Sequence, residues 1–423
     1  MRNLLEELPP EVDRHDLRLL LDARIGGPGQ YDGESANRLY LPLAGAACQV
    51  ILVYDEGKLR TIERGPAFDE GAWRALVEEV MTSLLGGPLQ VGRDVSFSSY
   101  RVEGWWRGDK SKIQILPPPE TAPRASELMG QHPFILEFPL QVTNMWPITN
   151  SRRRREHRGY TLLLNILLQG QTNVLSRQSQ YFWASVHRPP RRWQFNWLRR
   201  KLGLRVQGSA PFDILWVQEF FYLENMEVVR KAFSDSTAPV IQLVPANTYY
   251  AQFGHDGGPL KAPSDLDTSI FSYQSLSKEH RDKFDRALFW MDLASRHWNT
   301  SASSSFAALV SAAEALTTRP NAHKVACPEC NGDIQHEVPG ATERFRSFFE
   351  TFAPGQSLRK RRTEMYTLRS GILHGSRLME WDIGRAIGWD PPYANEDQLH
   401  RELWGLVQLA IRNWLKAAAA GEV

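Results

Sequence analysis

From about residue 278 onward the apolar side chains recur at helical spacing in four successive stretches, and each stretch has one apolar face that must be covered. HRDKFDRALFWMDLASRHW places Phe284, Leu288, Met291 and Leu293 on or near one face. SSSFAALVSAAEALTT follows with Phe306, Leu309, Val310, Ala313 and Leu316, a dense stripe interrupted by Glu314. A third helical region runs from about Ala341 to His374 and is broken by the Pro-Gly of FAPGQ; Met365, Leu368 and Ile372 give its second half a buried side. LHRELWGLVQLAIRNWLKAA repeats Leu403, Val407, Ile411 and Trp414. Four amphipathic helices within about 140 residues cover one another most economically as a bundle.

Upstream the texture differs. RLYLPL, CQVILVY, VSFSSYRV, KIQILP and FILEFPLQV are rich in β-branched and aromatic residues and bounded by turn formers, so they predict strands. FDEGAWRALVEEVMTSLLGG instead spaces Trp73, Leu76, Val80 and Leu84 for a helix, with Gly-Gly as its stop. PPPETAP at 117–123 reads as a loop or short linker, and GHDGGPLKAPSD, 254–265, is the clearest punctuation. The expected fold is α+β: a mixed strand and helix region over 1–270, as one subdomain or two, then an all-α four-helix region over 278–420 with an insertion at 319–340.

The chain has 423 residues, too many for one ordinary core. No run approaches the roughly 18 apolar residues of a membrane span, and MRNLLEELPPEVDRHD lacks the layout of a signal peptide, so the expected setting is cytoplasmic, with no membrane partner. The formal net charge of +2 hides a segregation: residues 151–206 hold thirteen Arg and Lys against one carboxylate, Glu156, for +12, and the remainder carries −10. Such a distribution aims one basic surface at an acidic partner. Within it, SRRRREHR supplies Arg152, Arg153, Arg154 and Arg155, and RPPRRWQFNWLRRKLGLR supplies Arg191, Arg192, Trp193, Trp197, Arg199, Arg200 and Lys201. Cations interleaved with aromatics suit the phosphates and bases of single-stranded nucleic acid. A solvated charged face and an acidic protein surface are the other readings. Among the 14 tryptophans some are expected to serve a binding surface.

Two further constellations carry chemistry. In HKVACPECNGDIQHEV, Cys327 and Cys330 have the spacing that lets two thiolates grip one zinc ion, and His323 and His336 are the local residues that would complete a structural site of four. A reduced loop without metal is the alternative. In YTLRSGILHG, Arg369 and His374 stand about 140° apart around a helix, so they do not share a stripe. One reading pairs Arg369 with a nearby carboxylate and leaves His374 on the last turn before a Gly375 cap, where the helix dipole favours a cation. The other makes them a phosphate-binding and acid–base pair, because arginine offers a charged planar fork and histidine titrates near neutrality. Glu314 would then orient Arg369 across the helices or, the reading preferred on sequence, satisfy another buried cation. No P-loop, GxGxxG, HExxH or GxSxG occurs, so nucleotide hydrolysis, dinucleotide redox and the common hydrolase elbows have no support.

RALFWMDLAS, FAALVSAAEALT, the insertion, YTLRSGILHG and the last amphipathic stretch together resemble the HEPN superfamily, in its Apea-like branch. The resemblance covers Lys278 to Ala420, roughly a third of the 423 residues. Its motif, Arg followed four to six residues later by His, falls here on Arg369 and His374. The resemblance implies metal-independent RNA cleavage by a homodimer whose two motifs face each other, with no cofactor for catalysis; the structural zinc rests on the cysteine spacing alone. Many active members carry Asn, Asp or His directly after the arginine; this chain has Ser370, which can still hydrogen-bond. The resemblance further implies a prokaryotic antiviral defence or toxin-like ribonuclease, with a regulatory trigger acting on the N-terminal region. A non-catalytic dimerisation and RNA- or protein-binding module is the competing class.

Overall fold

A computed structural model of the chain describes residues 3–24, 30–31, 37–43, 49–55, 58–66, 68–117, 132–170, 172–173, 184–186, 213–216, 239–251, 258–317, 324–326, 333–335, 340–355, 359–384 and 391–423. They form a mixed α+β structure with strands toward the N-terminus and helices toward the C-terminus. The chain divides into two compact units, Met1–Arg93 with Glu137–His157, and Asp94–Leu136 with Arg158–Val423.

In the first unit, α1 (Leu4–Glu7) and α2 (Arg14–Ala23) precede the strands β1 (Gln30–Tyr31), β2 (Arg38–Pro42), β3 (Gln49–Asp55) and β4 (Lys58–Arg64), and α3 (Glu70–Leu85) follows. The strands make one antiparallel sheet in chain order, and its register sets Leu39, Leu52 and Ile62 in a row across β2, β3 and β4. Both longer helices start where sequence logic places a cap. Asp13 accepts from the backbone N–H of His15 and Asp16, and Asp69 accepts from that of Ala72 at 2.8 Å. Leu17, Leu20 and Leu21 of α2 join Trp73, Leu76, Val80 and Leu84 of α3 in the core with the sheet row. Each fully buried leucine there contributes on the order of 2 kcal/mol.

The second unit contains most of a five-stranded sheet of order β6-β7-β8-β5-β9, from β5 (Leu89–Ser98), β6 (Trp106–Arg107), β7 (Gln114–Leu116), β8 (His132–Gln141) and, after α4 (Trp146–Leu167), β9 (Thr172–Asn173). Strands β10 (Ala184–Val186) and β11 (Asp213–Trp216) pair antiparallel. Residues on both sides of position 270 belong to this second unit. Strand β12 (Leu243–Val244) leads through α5 (Ala246–Ala251) to β13 (Ala262–Pro263), which pairs back on it in parallel, and α6 (Leu266–Gln274) packs on the C-terminal helix. Residues 258–274 thus belong to this same unit.

From Lys278 the described residues form five helices: α7 (Lys278–His297), α8 (Ala302–Leu316), α9 (Ala341–Phe352), α10 (Arg359–Leu373) and α11 (Pro391–Ala420). The break at FAPGQ separates α9 from α10, as the sequence predicts. The insertion between α8 and α9 contributes the antiparallel pair β14 (Lys324–Ala326) and β15 (Asp333–Gln335). Helix α8 is the centre of the arrangement. It touches α7, α9, α10 and α11, and eleven of its fifteen residues are buried, which its Ala, Ser and Leu content permits at close helix approach. The α11 stripe Leu403, Val407, Ile411 and Trp414 is fully buried, with Trp414 stacked 5.7 Å from Phe284 of α7. No helix among the described residues is long and apolar enough to cross a membrane.

Candidate functional site

The end of α10 holds the motif pair, and it is built by an ordinary helix stop. Gly375 adopts φ 70°, a left-handed value that costs other residues energy. Its N–H donates to Ile372 O at 3.1 Å, and the N–H of Ser376 donates to Gly371 O at 3.0 Å, the double closure of a Schellman cap. His374 is therefore the last residue before the chain turns away. Its side chain is exposed and has no hydrogen-bond or ion-pair partner among the described residues.

Arg369, about one and a half turns earlier, is bound on a different side. Its Nη2 donates to Glu314 Oε2 at 2.7 Å, and Tyr366, one turn before it, donates its hydroxyl to Glu314 Oε1 at 3.0 Å. The guanidinium carbon also stands 5.5 Å from the Tyr366 ring centroid. Burial, then the Glu314 charge, pushes the Tyr366 phenol above its ordinary pKa. Glu314 thus answers Arg369, not another buried cation, because α8 and α10 pack together and set positions 55 residues apart face to face. The Arg369 side chain is 20% exposed; Nε is buried without a partner, and no partner for Nη1 occurs among the described residues. Ser370 is half-buried and accepts the N–H of His374 through its backbone oxygen at 3.0 Å. The structure therefore joins Arg369, Tyr366 and Glu314 into one cluster, with His374 outside it.

The segment after the cap is anchored to the helices. Asp382 accepts from Ser301 Oγ at 3.1 Å, Ala302 N at 2.9 Å and Ser303 N at 2.8 Å, capping α8 from a distant part of the chain. Burial pushes its carboxyl up, but the hydrogen bonds from Ser303, Ala302 and Ser301 outweigh this and leave it below the ordinary value. Ser303 Oγ accepts from Met379 N at 2.8 Å, and Glu396 accepts from the Arg377 guanidinium and from Glu380 N. Leu373 at the end of α10 and Leu378, Trp381 and Ile383 in this anchored stretch remain 42–52% exposed, an unusual concentration of large apolar side chains around His374.

Sequence reasoning missed Tyr366, Asp382 and Glu396. For Tyr366 a signal existed, since it precedes Arg369 by one helical turn; for the others none did, because their partners are remote in sequence. It also missed His400, whose signal was a polar residue one turn before Leu403 on the buried stripe of α11.

The basic region divides. Arg152 is a correction: it is buried, its Nε donates to Asp16 Oδ2 at 2.6 Å and its Nη2 to Leu84 O at 2.8 Å, so it closes the end of α3 and does not face a ligand. Arg155 is exposed and reaches Asp13 and Asp16 at 3.3 Å. Arg153 donates to Asn150 at 3.0 Å, and Arg154 is exposed. Arg191, Arg192, Trp193, Trp197, Arg199, Arg200 and Lys201 lie outside the described residues, as do His323, Cys327, Cys330 and His336. Among the described residues no group of three or more His, Cys, Asp or Glu is placed to hold a metal ion. No family model, curated protein or solved structure matches the chain.

Proposed function

We propose that the helices from Lys278 onward form a HEPN-type bundle that cleaves RNA without a metal, at a site completed by a second copy of the chain. The observation that carries this reading is the cluster in which Glu314 braces Arg369 close before an exposed, capped His374. Such bracing holds a guanidinium in a fixed orientation while leaving Nη1 for a phosphate oxygen. In the reaction the 2'-hydroxyl gives its proton to one histidine and its oxygen bonds to the adjacent phosphorus. The 5'-oxygen then leaves with a proton from a second histidine, yielding a 2',3'-cyclic phosphate and a 5'-hydroxyl. Arg369 offsets the charge that builds on the phosphoryl oxygens. One chain supplies one histidine, so base and acid together call for two copies. The exposed Leu373, Leu378, Trp381 and Ile383 supply the kind of apolar surface on which copies could meet.

In this reading the N-terminal residues sense a trigger and the basic region guides RNA, in a cytoplasmic defence or toxin-like protein. The test is RNA cleavage by the purified chain in EDTA, comparing wild type with His374→Ala, an exposed change that leaves the Glu314 cluster intact. Cyclic-phosphate products that vanish in the variant are expected. Wild-type protein that leaves a varied RNA pool whole, with and without EDTA, overturns the reading as a constitutive nuclease.

A second reading has its own observation: the charge of Arg369 is already met by Glu314, as a purely structural pair would have it. The bundle would then dimerise and bind RNA or a protein without cutting. Salt-sensitive RNA binding with no cleavage would select it.

A further inference from the structure

A pocket of about 180 Å³ opens between the start of α8, the segment that follows the motif and the first part of α11, lined among others by Trp298, Trp381, Glu396, Asp397, His400 and Arg401. Its most informative group is His400, which is only 4% exposed. Trp298 stacks on the imidazole with ring centroids 4.1 Å apart, and Nε2 lies 2.9 Å from Ser305 Oγ. That hydroxyl spends its single proton on Ala294 O at 2.9 Å, so it can only accept from His400. Nε2 therefore carries the ring proton. Nδ1 is left as an acceptor, with no partner among the described residues, in a ring that lines the pocket. Burial agrees with a neutral ring, holding its pKa down to about 4.

The charges around the pocket are already matched. Glu396 is bound by Arg377 and Glu380 N, and Asp397 Oδ2 by Arg401 Nε at 2.9 Å. Neither a free cation nor a free anion finds an uncompensated partner there. What remains is a pair of acceptors, His400 Nδ1 and Asp397 Oδ1, beside Trp381, whose surface is half exposed. Such a pocket selects a neutral, flat ring that carries hydrogen-bond donors. Its volume is below the few hundred Å³ of a drug-sized site, which suits one ring system with its sugar and phosphate outside.

We propose that this pocket binds a nucleobase bearing an exocyclic amino group, stacked on Trp381 with its amino protons directed to His400 Nδ1 and Asp397. The proposal goes beyond the cleavage reading and does not depend on it. The base belongs either to an RNA strand or to a free mononucleotide, and the chemistry of recognition is the same.

The experiment is a calorimetric titration of the full chain with AMP, CMP, GMP and UMP, repeated for Trp381→Ala and Asp397→Asn. Both substituted side chains reach solvent, so folding survives, which circular dichroism confirms. AMP, CMP and GMP should bind about tenfold more tightly than UMP, which has no amino group, and Trp381→Ala should weaken them by about tenfold, the scale of one base–aromatic stack. A short oligoadenylate binding more tightly than AMP assigns the base to an RNA strand; AMP binding more tightly assigns it to a free nucleotide. No heat with any nucleotide up to roughly 10 mM, where even a site of about 1 mM affinity would be nearly full, overturns the proposal. So does equal affinity for UMP, or binding unchanged in Trp381→Ala. Wild-type cleavage of RNA without nucleotide binding refutes the pocket and leaves the nuclease; nucleotide binding without cleavage does the reverse.

Discussion

Replacing Glu314 by glutamine isolates what its charge does. The amide can present its oxygen to Arg369 and its NH2 to the Tyr366 hydroxyl oxygen, so no polar atom is stranded and only the ion pair is lost. The two side chains are 28% and 20% exposed, between the surface and buried limits. Exposed pairs are worth about 0.2–1 kcal/mol and hydrogen bonds to charged groups about 1.5–3 kcal/mol, so after solvent screening the expected loss is about 1–2 kcal/mol. A double-mutant cycle of Glu314→Gln with Arg369→Met, read from the denaturant midpoints of the second unit, should give a coupling energy of that size. A phenol titration adds an independent readout. Burial and Glu314 raise the Tyr366 pKa, so its contribution to stability is complete below about 10 and is lost as pH rises through the folded value. Glu314→Gln should move that titration downward. If Arg369 acts on phosphate, cleavage should also fall while RNA affinity hardly changes. A coupling energy under about 0.3 kcal/mol, within the additivity error of independent sites, would refute the claim that Glu314 holds Arg369.

The His400 imidazole is depressed in the fold, so its stabilising contribution is full above about 6.5 and declines as pH falls toward 4, by as much as about 3 kcal/mol; His400→Gln should flatten that part of the stability profile. Asp382→Asn should cost about 1–2 kcal/mol in chemical denaturation, and the wild-type contribution, present above about 4, should fade as pH drops through its lowered pKa. Gly375→Ala should cost about 1 kcal/mol from backbone strain alone, since an added Cβ meets no atom within 4 Å; thermal unfolding would measure it. Arg152→Ala should destabilise the first unit by about 2–3 kcal/mol, because it takes the nearer of two guanidinium groups from buried Asp16, leaving Arg155 at 3.3 Å, and removes the donor to Leu84 O; a change in RNA binding with stability intact would contradict that placement.

Much of the framework was legible because it repeats locally. The five quoted strand segments each overlap a strand, β2, β3, β5, β7 and β8, and the stripes of α3, α7, α8, α10 and α11 lie on the buried faces, with Leu293 and Ile372 only half-buried. Local periodicity has limits, and α4 marks one. It places the arginine-rich run on a 22-residue helix with apolar TLLLNIL, and a solvated basic face hides the helical signal in its first half. The cluster around Arg369 marks another limit. Spacing located Arg369 and Glu314, but their pairing depends on the register of α8 against α10, which no single segment encodes. The caps show the same contrast: Asp69 and Gly375 act on their own helices and were readable, whereas Asp382 acts on a helix about 80 residues earlier.

That remote cap has a consequence for observing the protein at work. The first amide protons of a helix ordinarily exchange with solvent because no earlier turn accepts them. Here those of Ala302 and Ser303 are covered by a carboxylate that belongs to the segment following Arg369 and His374. Their deuterium uptake is therefore a gauge of whether that segment is seated. Anything that lifts it will label two amides on another helix before it disturbs the helix that carries the motif.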